Sequence, residues 1–224
     1  YGLTGNRLPA VLFANASALV EAGGRFRSAT GNVSARWSVY RQERVRTNPR
    51  FGLPDEILVR GIEAAAEWRP STALMLEGNA SYGDARYRDG PLPGGIATVP
   101  QFDPSVPSDN FPGYPRGNYR VPGLPRWVVN MSAVWSAPGG WGLRTWGTLQ
   151  GDQNLDLFGR VVIPAQQTWN GSVFWQRGHW HVSASLLNAT DAFNWRATSS
   201  PFAGGDLVTR ELPRRYRFAI SRRL

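Results

Sequence analysis

The chain has 224 residues and a formal net charge of +9, all of its basic residues are arginines, and ten residues are tryptophans. It contains no cysteine, which excludes disulfides and thiolate metal sites. No apolar run approaches the roughly 18 residues that a membrane-spanning helix needs, and the start shows neither Met nor a signal peptide. We therefore expect a mature protein or a piece of a longer one.

Nine segments alternate apolar and polar residues at every second position, which is the period of a β-strand. Helical periodicity is weak along the whole chain. A poorer pattern at 8–16 leaves a tenth strand open. In chain order, the nine strands are predicted at 18–27, 33–45, 57–69, 73–87, 126–136, 141–153, 167–177, 179–189 and 212–223.

The connections between these strands alternate in length. Tight turns are predicted at SATGN, RPST, APGG and RG, and long segments at 46–56, 88–125, 154–166 and 190–211. A sandwich with Greek-key connections gives no reason for this alternation. Short periplasmic turns and long outer loops are typical of an outer-membrane barrel. We therefore predict an all-β fold, an antiparallel up-and-down transmembrane β-barrel segment of about 9–10 strands.

One face of each of the last eight predicted strands carries no charged residue, and Thr145 is its one clearly polar member. A charge at the bilayer midplane costs about 2–4 kcal/mol, so an uncharged face is expected where strands meet lipid. The opposite face is polar. Its charged residues are expected to line the lumen: Arg36, Glu63, Glu67, Glu77 and Arg144.

Aromatic residues mark the ends of the uncharged face. A soluble sandwich with aromatics in its core gives no reason for tryptophans to follow the turns. Trp127, Trp169 and Tyr216, towards the long connections, predict an outer girdle at the level of the lipid headgroups. Tryptophans beside the tight turns predict a periplasmic girdle: Trp68, Trp135, Trp141, Trp175 and Trp180.

The chain offers little reactive chemistry. His179 and His181 would share a strand face beside a tight turn, so polar wall residues are favoured over a metal site. No nucleophile motif, phosphate-binding loop or dinucleotide fingerprint occurs, and we predict neither an enzyme nor a bound cofactor or metal. Six Asn-x-Ser/Thr triplets are interpreted as polar residues, four of them on the lumen face: Asn79, Asn130, Asn170 and Asn188.

The arginines scatter over turns, loops and strand ends, which gives no support for nucleic-acid binding. Those in the long connections are suited to the phosphates of lipopolysaccharide, because guanidinium groups bind phosphate bidentately. Solvated loop charges explain them equally well.

Several segments together resemble the C-terminal part of a TonB-dependent receptor, a family of outer-membrane proteins that import siderophores and other scarce nutrients. The resemblance spans about residues 19–224, and its segments follow one another in the family's order. They are RGIEAAAEWRP with GNASYGDARY, VPGLPRWVVNMSAVW, IPAQQTWNGSVFW, SLLNATDAFNWR and ELPRRYRFAISRRL.

The resemblance implies that 1–224 is the C-terminal portion of a larger barrel in a Gram-negative outer membrane, without the plug domain. It implies uptake of a siderophore-type or other nutrient, with a plug domain and TonB as partners and with outer-membrane lipid and lipopolysaccharide around the barrel. The five charged lumen residues would then contact the ligand or the plug.

The last predicted strand matches the family's insertion signal only in part. The resemblance assigns that signal to Tyr216, Phe218, Ile220 and Leu224. Arg222 interrupts the alternation, and Leu224 stands where the family usually has an aromatic residue.

Two other architectures fit parts of the pattern. A complete small barrel of ten strands would need 8–16 to pair with 212–223. A soluble carbohydrate-binding β-domain would carry its tryptophans on an exposed surface.

Overall fold

The computed structural model describes residues 16–47, 54–88, 118–155, 159, 161–200 and 205–222. All nine predicted strands are confirmed, each within three residues of its expected ends. The strands are β1 (Ala16–Arg27), β2 (Val33–Thr47), β3 (Pro54–Trp68), β4 (Leu74–Tyr87), β5 (Trp127–Ser136), β6 (Trp141–Gln150), β7 (Gln153–Asn154), β8 (Val162–Ile163), β9 (Gln166–Arg177), β10 (Trp180–Leu187), β11 (Trp195–Ser200), β12 (Gly205–Arg210) and β13 (Arg215–Arg222).

The nine long strands form one antiparallel sheet in the order β1-β2-β3-β4-β5-β6-β9-β10-β13. Each strand pairs with the next long strand along the chain, so the sheet has the predicted up-and-down order. In the described part of the chain, β1 and β13 are the two edges of this sheet. The described residues include no helix that is long and apolar enough to span a membrane.

Tight turns join the strands at one end of the sheet. Gly31, Gly139, Gly140 and Gly178 have φ values of 69°, 88°, 88° and 57°. A Cβ is disfavoured in this left-handed region, so glycine is the residue that fits. Gly178 stands first in the two-residue turn after β9, the position where a type II′ hairpin turn needs glycine.

The long connections contain strands that the sequence did not reveal. β7 pairs with β8, and β11 pairs with β12 inside the connection predicted at 190–211. The end of the strand predicted at 141–153 is wrong, because the turn-forming pair Gly151-Asp152 separates β6 from β7. The tenth strand suggested at 8–16 lies outside the described residues, except for Ala16, which begins β1.

The described residues enclose almost no apolar core. Ala85 and Ile163 are the only hydrophobic residues buried there. Large apolar side chains of the main sheet are instead exposed, up to 79% for Phe218. A soluble sandwich would cover one face of such a sheet with a second layer, and no second layer lies on it in the described part of the chain.

Candidate membrane face and lumen wall

The strand register brings the uncharged faces of the predicted strands onto one side of the main sheet, called the apolar face here. Directly opposed residues of an antiparallel pair point to the same side. One row of opposed residues on this face reads Val39, Ile62, Tyr82 and Trp127. A second row, farther along the sheet, reads Leu143, Val173, Ala184 and Phe218.

All eight aromatic residues predicted for the two girdles lie on the apolar face. At the tight-turn end, Trp68, Trp135, Trp141 and Trp180 are exposed by 43–55%. At the other end, Tyr216 is exposed by 70%. Aromatic residues therefore lie at both ends of the apolar face, as expected, while their role at a membrane interface stays a prediction.

Tryptophans on the apolar face lie over glycines of the neighbouring strand. Gly24 is directly opposite Trp37, and Gly147 is directly opposite Trp169. A Cβ added to Gly24 would lie 2.9 Å from the indole nitrogen of Trp37, and one added to Gly147 would lie 2.5 Å from Cε3 of Trp169. The ring thus covers the gap that a glycine leaves in a strand.

The opposite side of the sheet, called the polar face, carries all five charged residues predicted for the lumen. Arg36, Glu67, Glu77 and Arg144 line one recess of about 860 Å³, to which six neighbouring strands contribute. Glu63 lines an adjoining recess of about 830 Å³ together with Arg36. The register therefore brings these residues together around one concave wall.

In the larger recess of the polar face, β1 and β2 contribute positive charges and β3 and β4 contribute negative charges. Arg25 of β1 is directly opposite Arg36 of β2, and Glu67 of β3 is directly opposite Glu77 of β4. Like charges placed opposite each other are unfavourable. Glu67 forms an ion pair with Arg69 (Nε to Oε1, 2.7 Å). In the described part of the chain, no ion pair joins Arg25 or Arg36 to Glu67 or Glu77, so the two arginines and the two carboxylates face the recess.

Arg25 also lies on the polar face, and the sequence pattern does not predict it there. The alternation of β1 is interrupted by the pair Gly23-Gly24, so its two faces could not be assigned from the pattern alone. Its place on the polar face follows only from the pairing with Arg36.

Short polar side chains form rungs across the polar face. The Asn130 amide donates to Asn79 Oδ1 (3.0 Å), and the Thr148 hydroxyl donates to Asn130 Oδ1 (2.8 Å). One row nearer the tight turns, the Ser132 hydroxyl donates to Glu77 Oε2 (3.2 Å). These hydrogen bonds link β4, β5 and β6. Asn79 and Asn130 therefore lie on the polar face, as predicted.

The prediction that the two histidines share a strand face is wrong, because β10 begins only at Trp180 and leaves His179 in the turn. His181 lies on the polar face, with its ring stacked 6.0 Å from that of Phe174. Among the described residues, no group of three or more His, Cys, Asp or Glu side chains is placed to hold a metal ion.

The prediction that Asn188 lies on a strand is wrong, because β10 ends at Leu187 and Asn188 follows it. Asn188 is 5% exposed and has a φ of 50°. Its side chain donates to the carbonyls of Ala192 (3.0 Å) and Leu212 (3.3 Å) and accepts from the Ala192 N–H (2.9 Å). Asn188 therefore fastens the connection that contains β11 and β12 to the segment before β13.

The last strand presents its predicted apolar residues on one side: Tyr216, Phe218 and Ile220 all lie on the apolar face. Arg222 follows them on the same face, with its guanidinium carbon 5.6 Å from the ring centroid of Trp180. The interrupting charge thus lies at the tight-turn end, beside an aromatic ring. Leu224 lies outside the described residues.

Comparison with known proteins identifies the fold. No family model matches the sequence, and no curated protein matches it. Among solved structures, the ferric citrate transporter aligns with a TM-score of 0.68 at 16% identity, covering 92% of this chain and 31% of the transporter. The ferric yersiniabactin uptake receptor from Yersinia pestis aligns with a TM-score of 0.64 at 16% identity, covering 93% and 30%.

The ferripyoverdine receptor of the outer membrane of Pseudomonas aeruginosa aligns over 93% of this chain and 27% of the receptor, with a TM-score of 0.64 at 11% identity. The chain thus spans less than a third of the length of each receptor. The resemblance recognised in the sequence is confirmed at the level of the fold: this chain folds like part of the β-barrel of outer-membrane siderophore receptors.

Proposed function

We propose that this chain is part of the barrel wall of a TonB-dependent receptor in the outer membrane of a Gram-negative bacterium, and that the receptor takes up a nutrient of the metal-chelate type. One observation carries the proposal: a nine-stranded sheet with an uncovered apolar face on one side and a concave polar face on the other.

The apolar face is suited to acyl chains. Arg177 and Arg222 flank Trp180 in its row at the tight turns. From the next row up to the row that contains Tyr82 and Trp127, the face carries no charge. From Trp127 to Trp135 is eight steps along β5, which is about 26 Å along the strand and about 20 Å vertically at a tilt near 40°. This height approaches the apolar band of about 25 Å that outer-membrane barrels present to lipid.

The polar face is suited to a polar occupant of the lumen. Arg25 and Arg36 on one side and Glu67 and Glu77 on the other leave charges of both signs facing the recess. A plug domain with complementary charges, or a passing ligand, would satisfy them. In this proposal TonB acts through the plug, and the chain has no catalytic role.

Further strands would complete the barrel. The outer edges of β1 and β13 carry backbone groups that face no partner strand in the described part of the chain. In lipid, each unpaired backbone N–H or C=O group costs on the order of several kcal/mol, so a sheet edge that faces lipid has to pair with another strand. The solved receptors of this fold are roughly three times as long, consistent with the shares of 27–31% that this chain covers.

The absence of cysteine makes the central test direct. Ser172 and Val173 are neighbours on β9 and point to opposite faces. In intact outer membranes, we expect the S172C variant to react with a water-soluble maleimide through the lumen and the V173C variant to stay unlabelled. Equal labelling of both, or recovery of the protein in the aqueous fraction, would contradict the membrane assignment and favour the soluble β-domain.

Uptake is tested separately with cells that lack the gene. The protein, expressed with everything its gene encodes around this chain, should restore energy-dependent uptake of a radiolabelled ferric chelate. The names of the solved receptors make ferric siderophores and ferric citrate the first panel to test. Normal uptake of the whole panel by the deleted strain would contradict the nutrient class, while the cysteine labelling would still report on the barrel.

A further inference from the structure

The apolar face ends abruptly on the side away from the tight turns. The row of Ile62 and Tyr82 is followed on the same face by a row that reads Arg41, Arg60 and Asp84. Two residues along a strand span about 7 Å, so on β2, β3 and β4 an apolar row gives way to a charged one over that distance, while Val20 of β1 extends the charged row as an apolar residue opposite Arg41. The charged row lies where headgroups would begin.

Beyond this row the charges continue across three strands. The next row reads Glu43, Leu58 and Arg86, and the one after it includes Glu56 and Arg88. We call the residues of β2, β3 and β4 in these rows the outer charged patch: Arg41, Glu43, Glu56, Arg60, Asp84, Arg86 and Arg88.

Ion pairs within the patch occupy the carboxylates of Glu43 and Asp84, and the four arginines of the patch outnumber its three carboxylates. Glu43 Oε1 lies 2.5 Å from Nη2 of Arg41 and 3.2 Å from Nη1 of Arg88. Asp84 Oδ2 lies 2.6 Å from Nε of Arg86. These arginine and glutamate side chains are still 42–50% exposed, so each guanidinium retains N–H groups that face outwards.

Arg60 lies in the middle of the patch with no ion pair or side-chain hydrogen bond to a described residue. It is exposed and stands directly opposite Arg41 on one side and Asp84 on the other. Asp84 is already paired with Arg86, so the register leaves the guanidinium groups of Arg41 and Arg60 side by side. Such a like-charge pair is unfavourable unless an anion lies between the two groups. Two adjacent guanidinium forks match the oxygens of a phosphate group.

We propose that the outer charged patch binds the phosphates of a phosphorylated glycolipid in the outer leaflet, with Arg41 and Arg60 as its principal ligands. This inference rests on the proposed function, since it needs the apolar face to meet acyl chains. A glycolipid anchored beside Tyr82 would bury its chains on the apolar face and hold its phosphates one row higher. Glu43 and Asp84 would fix the neighbouring guanidinium groups in place.

The test uses the protein purified from outer membranes in mild detergent, with bound glycolipid counted by native mass spectrometry. We expect the R41Q/R60Q variant to retain at least about tenfold less glycolipid, because two charge-assisted contacts are lost. The R44Q/R177Q variant is the matched control. It loses the same charge, but Arg44 lies on the polar face and Arg177 lies at the tight-turn end, so it should retain as much as the unchanged protein.

Competition experiments identify the source of the phosphate. Inorganic phosphate and phosphatidylglycerol micelles should displace the bound glycolipid poorly, and added glycolipid should displace it well. Equal retention by R41Q/R60Q and the control, or equal displacement by phosphatidylglycerol, would overturn the inference. Cysteine labelling at Ser172 and Val173 in the same variants reports separately on the barrel, so a failure of this inference can be told apart from a failure of the proposed function.

Discussion

Gly147 and Trp169 face each other across β6 and β9, and the indole ring occupies the space that a side chain at Gly147 would need. A Cβ there would lie 2.5 Å from ring carbon Cε3, well inside van der Waals contact. The glycine and the tryptophan therefore form one unit of the apolar face.

Replacing Gly147 with alanine should destabilise the sheet by about 1–3 kcal/mol, the usual cost of overpacking, because the Trp169 ring has to move. The measurement is the temperature at which the folded protein loses its compact mobility on a semi-native gel. Gly171 supplies the control, since it lies on the same face and a Cβ there would meet its nearest atom at 3.9 Å. A G171A variant as unstable as G147A would contradict the explanation.

Replacing Asn188 should weaken the connection 188–214 more than replacing an exposed asparagine would. Replacement of Asn188 by alanine leaves the partly buried Ala192 N–H without its acceptor, which costs about 1–3 kcal/mol. It also removes a residue type that tolerates the positive φ of this position better than alanine does. We expect rapid proteolysis within the connection 188–214 of the N188A variant. The N32A variant is the control, because the Asn32 side chain accepts hydrogen bonds from the exposed side chains of Ser28 and Thr30 in its own turn. Equal protection of both variants would show that Asn188 does not anchor this connection.

Because the carboxylates of Glu67 and Glu77 lie opposite each other, removing one of the two charges should stabilise the fold. The E77Q variant keeps a side-chain oxygen for the Ser132 hydroxyl and removes a like-charge pair worth roughly 0.2–1 kcal/mol at neutral pH. The E63Q variant should show no such gain, since Glu63 stands opposite Ser38 and Ser81. The thermal midpoints of the two variants on semi-native gels measure the difference, and a larger gain in E63Q would contradict it.

Much of the fold could be predicted because period two and turn chemistry are local signals. In β5, every position of the apolar face from Trp127 to Trp135 carries an apolar residue, while Asn130 and Ser132 lie on the other face. The turns follow from residues such as Gly178, which supply the backbone conformation that a tight hairpin needs. Together these signals set the order of the sheet and the faces of eight strands.

The remaining features depend on pairing, which the sequence does not show directly. Arg25 could be placed only through its partner on β2, and the opposition of Arg41 to Arg60 appears only once the register is known. The sequence predicts Asn188 on the lumen face of a strand, but position 188 has the phase of the apolar residues Val182 and Leu186. Its side-chain hydrogen bonds reach residues up to 24 positions away. Long-range contacts of this kind leave no local period.

The two faces of β13 provide the sharpest test of what surrounds the sheet. Phe218 points to the apolar face and is 79% exposed, whereas its neighbour Ala219 points to the polar face. An arginine on the lipid face costs about 2–4 kcal/mol near the midplane, whereas the lumen tolerates charge. We therefore expect the F218R variant to fail to assemble in the outer membrane and the A219R variant to assemble normally. Because both variants carry the same new charge in the same strand, normal assembly of F218R would show that Phe218 does not face lipid.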